Sequence, residues 1–318
     1  MTKHKIYFRA DASATIGYGH FIRTLALADM LKEDFYCTFF TTSPSAYQIS
    51  EMEKVCNHVA LSEETKFEDF INLLTGDEIV VLDNYFFTTG YQKQIKEKGC
   101  KLVCVDDMHD KHYVADVVIN HGLTDASLFD VEPYTRLCLG FSYALLREPF
   151  LQKSQLSKKK SSWFISFGGT DYLNLTEKAI RAIHDDPRVD VINVVIGDAY
   201  LYKENLNKYP KITLKKNLTA EQMAALMFQS QYAILPSSSV CIEALACGCK
   251  VAAGYFVDNQ QSYHDEWNRN HHIIGLGCIT EKVKSNIINR LYSCNLHLDT
   301  VFENIASRYI EMFRKFNQ

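Results

Sequence analysis

Gly17, Tyr18, Gly19 and His20 stand together in the chain, with Arg9 and Asp11 just upstream. Two glycines ending in a histidine suit a turn that presents a proton acceptor. Histidine is the side-chain type whose ordinary pKa lies nearest physiological pH, so it often serves as a general base. Lys5-Ile6-Tyr7-Phe8 before the turn reads as a β-strand. After it, Phe21, Leu25, Ala28 and Leu31 fall on one face at helical spacing. A strand-to-helix turn aims backbone N–H groups and a helix dipole at whatever binds beyond the sheet's carboxyl edge. Alone, the same pattern also describes a plain bend with a capping histidine. It is not a dinucleotide fingerprint, because Ile22 stands where a third glycine belongs. That argues against a nicotinamide enzyme.

The elements around the turn alternate. Strands are expected at Lys5–Phe8, Phe35–Phe40, Glu78–Asp83, Lys101–Asp106, Asp116–Asn120 and Arg136–Gly140, with helical patterns such as Lys66–Leu74 and Tyr91–Lys98 between them. Several strands end in polar clusters, among them Asp83-Asn84-Tyr85, Asp106-Asp107 and Asn120-His121-Gly122. The run from 152 to 162 is polar and loses the apolar period, so it reads as a linker. Alternation then resumes, with strands at Ser162–Phe167, Val189–Ile196, Lys211–Leu214, Gln231–Leu235 and Lys250–Ala253 and helices at Asn174–His184, Ala220–Phe228 and Val240–Cys247. Such alternation predicts an α/β chain of two doubly wound, Rossmann-like domains facing a cleft. The expected division is 1–151, a linker at 152–162, 163–297, and a C-terminal amphipathic helix at 298–318 that packs back on the first domain.

Composition bounds the function. The 318 residues carry a net charge of −4, which argues against a dedicated nucleic-acid binder. No long apolar stretch follows Met1 to Lys5, so no signal peptide is expected, and no window approaches the ~18 apolar residues of a membrane span. A cytoplasmic protein is expected. The ten cysteines form no CxxC pair, which points to reduced, mostly buried thiols rather than zinc ligands.

The second half has two ligand-suited turns. Gly168, Gly169, Thr170 and Asp171 follow a strand and precede a helix; glycines let a backbone approach a phosphate closely. Ser237, Ser238 and Ser239 open the next helix, whose N–H groups suit an anion, with Glu243 one turn in and able to reach a ribose. Asp258-Asn259-Gln260-Gln261 opens another helix.

The Ser237–Ser239 stretch through Glu243-Ala-Leu-Ala-Cys-Gly-Cys249, with Asn259-Gln260-Gln261, is similar to the nucleotide-binding half of two-domain GT-B nucleotide-sugar glycosyltransferases. Phe8-Arg9-Ala10-Asp11, Ile16-Gly17-Tyr18-Gly19-His20, Asp83-Asn84-Tyr85, Asp106-Asp107, the run Gly140 to Arg147, Gly168-Gly169-Thr170-Asp171 and Asn259-Gln260 narrow it. In that order they resemble the UDP-sugar hydrolase family of pseudaminic-acid biosynthesis. The resemblance implies cleavage of UDP-2,4-diacetamido-2,4,6-trideoxy-β-L-altropyranose to UDP and free sugar. It implies His20 as the catalytic residue. It places Asp11, Gly17, Tyr18, Gly19, Tyr85, Asn259 and Gln260 at the sugar, and Gly168, Gly169, Thr170, Asp171, Ser237, Ser238, Ser239 and Glu243 at UDP. Ala10 and Ala12 stand where the family usually has serines.

The chemistry is self-consistent. A UDP leaving group is a weakly basic phosphate, which needs charge stabilisation rather than a strong acid, and backbone N–H donors supply it. One base beside a water on the opposite sugar face completes the reaction and predicts inversion. No cofactor and no metal is expected; Asp106, Asp107, His109, Asp110 and His112 are the cluster most like a metal site, and Asp106 and Asp107 are expected instead to hydrogen-bond the loops around the cleft. The expected partner is a small UDP-sugar, with no nucleic acid and no membrane insertion; oligomeric state is not predicted. A UDP-sugar glycosyltransferase and a non-catalytic nucleotide-sugar binder are the alternatives. Arg9 is expected to be structural, while Arg23 and Arg147 are left open.

Overall fold

The computed structural model describes residues 3–13, 17–152, 157–197, 199–283, 286–296 and 302–317. Ile16 of the turn motif, residues 153–156 of the expected linker and 298–301 of the expected last helix lie outside the described residues. The chain divides into two compact units, one of Met1–Glu148 with Phe302–Gln318, the other of Pro149–Val301.

The first unit runs β1 (Lys5–Arg9), α1 (Gly19–Leu31), β2 (Tyr36–Thr42), α2 (Ala46–Glu53), β3 (Asn57–Leu61), α3 (Lys66–Leu73), β4 (Ile79–Leu82), α4 (Thr89–Glu97), β5 (Lys101–Val105), β6 (His112–Tyr113), β7 (Val117–Asn120), β8 (Asp130–Val131) and β9 (Arg136–Leu139). Seven strands form one parallel sheet in the order β3-β2-β1-β4-β5-β7-β9. Central strands of such a sheet are covered on both faces and so read as unbroken apolar runs; Ile79, Val80, Val81 and Leu82 of β4 are all buried. The sheet order reverses direction between β1 and β4. A parallel sheet opens a crevice at that point, outside the carboxyl ends of its strands.

Helix starts differ in a way that bears on the site. Ser45 and Gln48 close α2 with a capping box, and the Thr88 side chain caps α4 by accepting from the Tyr91 N–H. Tyr18, at the start of α1, gives no side-chain cap.

After α5 (Glu148–Leu151), a single turn at the division, the second unit runs β10 (Lys159–Ile165), α6 (Leu175–Ile183), β11 (Val191–Ile196), β12 (Ile212–Lys216), α7 (Ala220–Gln229), β13 (Ser230–Pro236), α8 (Ser239–Ala246), β14 (Lys250–Tyr255), α9 (Gln261–Arg269), β15 (Ile274–Cys278) and α10 (Ile287–Ser293). Its six parallel strands lie in the order β12-β11-β10-β13-β14-β15, with the reversal between β10 and β13. Trp163, Ile165, Ile192, Val194, Ile234 and Ala252 from the sheet bury against Ala179, Ile180 and Ile183 of α6.

Several elements depart from the sequence reading, β10, β3 and β15 of the two large sheets among them. β10 starts at Lys159, inside the run expected to be linker. Its first lysines keep exposed side chains, while Lys158 Nζ bonds the Ser230 and Cys247 carbonyls at 2.9 and 3.1 Å. β3 is an edge strand that exposes Asn57, Val59 and Ala60, so it carries little apolar signal. β15 contains Gly275 and Gly277, which weaken a strand pattern.

The last helix, α11 (Ile305–Arg314), belongs to the first unit. Tyr309 and Phe313 are fully buried. Tyr309 Oη donates to the Tyr143 carbonyl at 2.6 Å, Arg308 Nη1 to the Ser142 carbonyl at 2.9 Å, and Phe313 meets Phe35 edge-on. The Gly140 to Tyr143 stretch is thus a seat for this helix. All ten cysteines are free thiols, seven of them buried. Among the described residues no helix is long and apolar enough to cross a membrane.

Candidate active site

His20 lies in the first turn of α1, and Asp83 follows the last residue of β4. Those two elements flank the reversal of the first sheet, so the topology brings their side chains together. His20 Nδ1 sits 2.7 Å from Asp83 Oδ1. Arg23 and Thr24, three and four residues after His20, share its helix face. Arg23 Nε donates to Asp83 Oδ2 at 2.6 Å and its Nη2 to Asp83 Oδ1 at 2.6 Å. Thr24 Oγ1 donates to Asp83 Oδ2 at 2.8 Å. Arg23 Nη1 donates to Asp107 Oδ2 at 2.9 Å, and the Tyr85 hydroxyl donates to that oxygen at 3.2 Å. The Tyr85 ring meets the imidazole edge-on, with centroids 4.6 Å apart.

The charges decide the histidine's form. Burial alone would raise the Asp83 carboxyl, but the Arg23 charge, His20 and their hydrogen bonds outweigh it and hold it well below the usual carboxylate range. An ionised carboxylate only accepts, so the 2.7 Å contact puts the imidazole proton on Nδ1. In the neutral imidazole Nε2 is then left as the proton acceptor, the arrangement a general base needs. His121, nearby, has its own pKa pushed down to about 3, first by burial and then by the Arg23 charge, and its Nδ1 accepts from the Leu145 N–H at 3.3 Å.

A small pocket opens here, lined by His20, Arg23, Asp83, Tyr85, Gln92 and Asp107, among others. Tyr85 is 44% exposed at this pocket and Tyr18 is exposed at the start of α1. Gly17 has φ +83°, and a Cβ added at Gly17 or Gly19 meets nothing within 4 Å among the described residues.

Asp11, expected at the sugar, is held by protein donors. It is 1% exposed, and both its oxygens bond Arg9, at 2.5 and 2.8 Å. Oδ1 also accepts from the Thr42 N–H at 2.8 Å, and the Asp11 backbone exchanges hydrogen bonds with Asn84. Asp11 therefore anchors the turn to the ends of β2 and β4, and Arg9 is its buried counter-ion. In the acidic cluster after β5, Asp106 holds the loop: it accepts from the Met108 and His109 N–H groups and from Tyr113 Oη. His112 pairs with Asp130 and Glu132 on the surface.

In the second unit, the carboxyl ends of β10 and β13 adjoin, so Gly168-Gly169-Thr170 and Ser237–Ser239 leave the sheet side by side. Gly168 has φ +85°, Gly168, Gly169 and Thr170 are exposed, and a Cβ on either glycine meets nothing within 4 Å. Ser237 is fully buried, its N–H donating to the Gly254 carbonyl at 2.8 Å while its hydroxyl has no partner among the described residues. Ser238 begins α8 without a side-chain cap, Ser239 is half-buried, and Glu243 is buried within that helix. Asp171, expected at UDP, has oxygens that accept the Leu175 and Thr176 N–H groups at 2.7 and 2.8 Å, which caps α6. Gln260, expected at the sugar, is buried with Oε1 accepting from the Phe256 N–H at 3.3 Å, while neighbouring Asn259 is half-buried.

Sequence reasoning quoted Asp83 and Asp107 only as strand-end residues of its motifs, left the role of Arg23 open and did not mention Thr24. The helical spacing from His20 was the available signal for Arg23 and Thr24. It also passed over Gly197, where an added Cβ would lie 2.3 Å from the Gly169 backbone, because only the fold brings the ends of β10 and β11 into contact.

No family model matches the chain. It is 30% identical over 271 residues to the UDP-2,4-diacetamido-2,4,6-trideoxy-beta-L-altropyranose hydrolase of Campylobacter jejuni, covering 81% of this chain and 94% of that protein. It is 29% identical over 283 residues to the uncharacterized protein MJ1062 of Methanocaldococcus jannaschii, covering 83% of this chain and 58% of that protein. Among solved structures it resembles MurG of Acinetobacter baumannii, with a TM-score of 0.64 at 13% identity over 99% of this chain and all of that one. The structural likeness shows the GT-B fold, with its two Rossmann-like domains. The first relative, matched over nearly its whole length, shows the lineage: the chain belongs to the family of the UDP-2,4-diacetamido-2,4,6-trideoxy-beta-L-altropyranose hydrolase.

Proposed function

We propose that this protein is a hydrolase that cleaves the anomeric C–O bond of a UDP-linked 2,4-diacetamido-2,4,6-trideoxyhexose, releasing UDP and free sugar with inversion. The observation that carries the reading is the His20–Asp83 contact in a chain of this family. His20 Nε2 takes a proton from water, the water oxygen bonds to the anomeric carbon, and the bond from that carbon to the phosphate oxygen breaks. UDP leaves with the bonding electron pair. Gly168, Gly169, Thr170 and Ser239 are assigned to the diphosphate through backbone N–H groups, which favour a leaving anion; the Ser237 and Ser238 N–H groups are already donated to the Gly254 and Pro236 carbonyls, so these two serines are assigned to it through their hydroxyls. Glu243 is assigned to the ribose, and Tyr85 and Asn259 to the sugar.

The experiment omits any acceptor. The protein is incubated with the UDP-sugar in water, and products are followed by phosphorus and proton NMR. UDP and a free sugar of opposite anomeric configuration support the reading. Turnover only when an acceptor alcohol is added marks a glycosyltransferase, and binding with no turnover marks a nucleotide-sugar binder. A sugar released with its configuration retained overturns the one-base mechanism.

A further inference from the structure

We propose that Arg23 is a positioning residue that locks His20 in its base-competent tautomer by saturating Asp83, and that the same guanidinium ties this pair to Tyr85 through Asp107. The inference rests on the proposed role of His20. Its grounds are geometric. A carboxylate offers about four acceptor directions. Asp83 spends all four: His20 and Arg23 Nη2 at Oδ1, Arg23 Nε and Thr24 at Oδ2. Arg23 takes two of them as a planar fork, which fixes the carboxylate plane as no single point contact does. The direction that remains points at His20 Nδ1.

Arg23 Nη2 also lies 3.1 Å from His20 Nδ1. Two arrangements fit that distance. In one, Arg23 donates to a bare Nδ1, and the proton sits on Nε2, which then cannot act as a base. In the other, Nδ1–H and Nη2–H converge on the same Asp83 oxygen and merely lie side by side. The ionised state of Asp83 selects the second, because a bare Nδ1 facing it at 2.7 Å would set two lone pairs against each other. The third Arg23 arm reaches Asp107 Oδ2, the oxygen that also takes the Tyr85 hydroxyl. The base and the exposed tyrosine beside it are therefore referenced to one rigid, 4%-exposed cation.

The tautomer is read directly from long-range proton–nitrogen NMR of the full chain with nitrogen-15 histidine, with His20→Asn used to assign the signal. The wild type is expected to show Nδ1 protonated and Nε2 bare. In Arg23→Gln the signal shifts toward a mixture of both tautomers, kcat falls on the order of 10²-fold as for a misplaced catalytic group, and UDP affinity stays within twofold. Arg23→Lys, which keeps the charge without the fork, shows the same direction of change and covers the case in which Arg23→Gln does not fold. A wild-type His20 protonated on Nε2 overturns the proposal with no variant needed. So does a variant that keeps both the wild-type tautomer and wild-type kcat. If the wild type shows the expected tautomer but no hydrolysis, the functional reading has failed and the positioning role still stands on the spectra.

Discussion

His20 Nδ1 and Asp83 Oδ1 lie 2.7 Å apart although 63 residues separate them in the chain. The contact exists because α1 follows β1, and β1 pairs with β4. Parallel pairing aligns the carboxyl ends of adjacent strands, so the residues leaving β1 and β4 emerge together. The contact turns an ordinary helix-start histidine into an oriented one.

His20→Asn removes the base and keeps the size and a polar side chain. A general base supplies roughly 10²–10⁴-fold. Hydrolysis is expected to fall by that factor while UDP binding, measured by calorimetry, is unchanged. Equal loss of both would assign His20 to ligand binding instead.

Asp83→Asn removes one of the carboxylates that the buried Arg23 pairs with, Asp107 being another. Breaking one side of a buried pair costs about 3–5 kcal/mol, so the urea midpoint drops. The pH dependence follows from the carboxyl's lowered pKa. A depressed carboxyl adds stability that is fully present above its unfolded pKa of about 3.9 and is lost as pH falls through the folded value. Wild-type stability should therefore fall as pH drops below about 4, and Asp83→Asn should show a shallower fall over that window.

Gly197→Ala and Gly169→Ala separate packing from binding. A methyl at 197 would meet the Gly169 backbone at 2.3 Å, so that backbone must move. Overpacking of this kind costs about 1–3 kcal/mol, and the glycine turn is displaced with it. Gly197→Ala is expected to lower both the melting temperature and UDP affinity. A methyl at 169 meets nothing within 4 Å, so Gly169→Ala should melt like the wild type. It should still bind UDP more weakly, because the methyl occupies the space assigned to phosphate. Unchanged UDP affinity in Gly169→Ala would remove the turn from the proposed site.

Tyr309→Ala tests the last helix. The side chain is fully buried and its hydroxyl holds the Tyr143 carbonyl. Removing a buried aromatic ring costs about 3–5 kcal/mol. The melting temperature should drop by several degrees, while the His20 tautomer signal is retained in the folded protein. A melting temperature like the wild type's would show that α11 contributes little to the first unit.

The sequence by itself determined the fold class, because strand and helix periods are local properties: apolar runs such as Ile79–Leu82 and spaced faces such as Phe21, Leu25 and Leu31 need no partner to be read. It also singled out His20 and the glycine and serine turns, since glycine and strand-end polarity mark where a chain leaves a sheet. It could not separate site from scaffold among the acids. Asp11, Asp83, Asp106, Asp107 and Asp171 all follow strands. Asp11 pairs with Arg9, Asp106 holds a loop and Asp171 caps a helix, while Asp83 and Asp107 meet at Arg23 beside His20. Only tertiary structure decides this, because a carboxylate's role is set by which donors surround it. Those donors arrive from strands that are neighbours in the sheet and far apart in the chain.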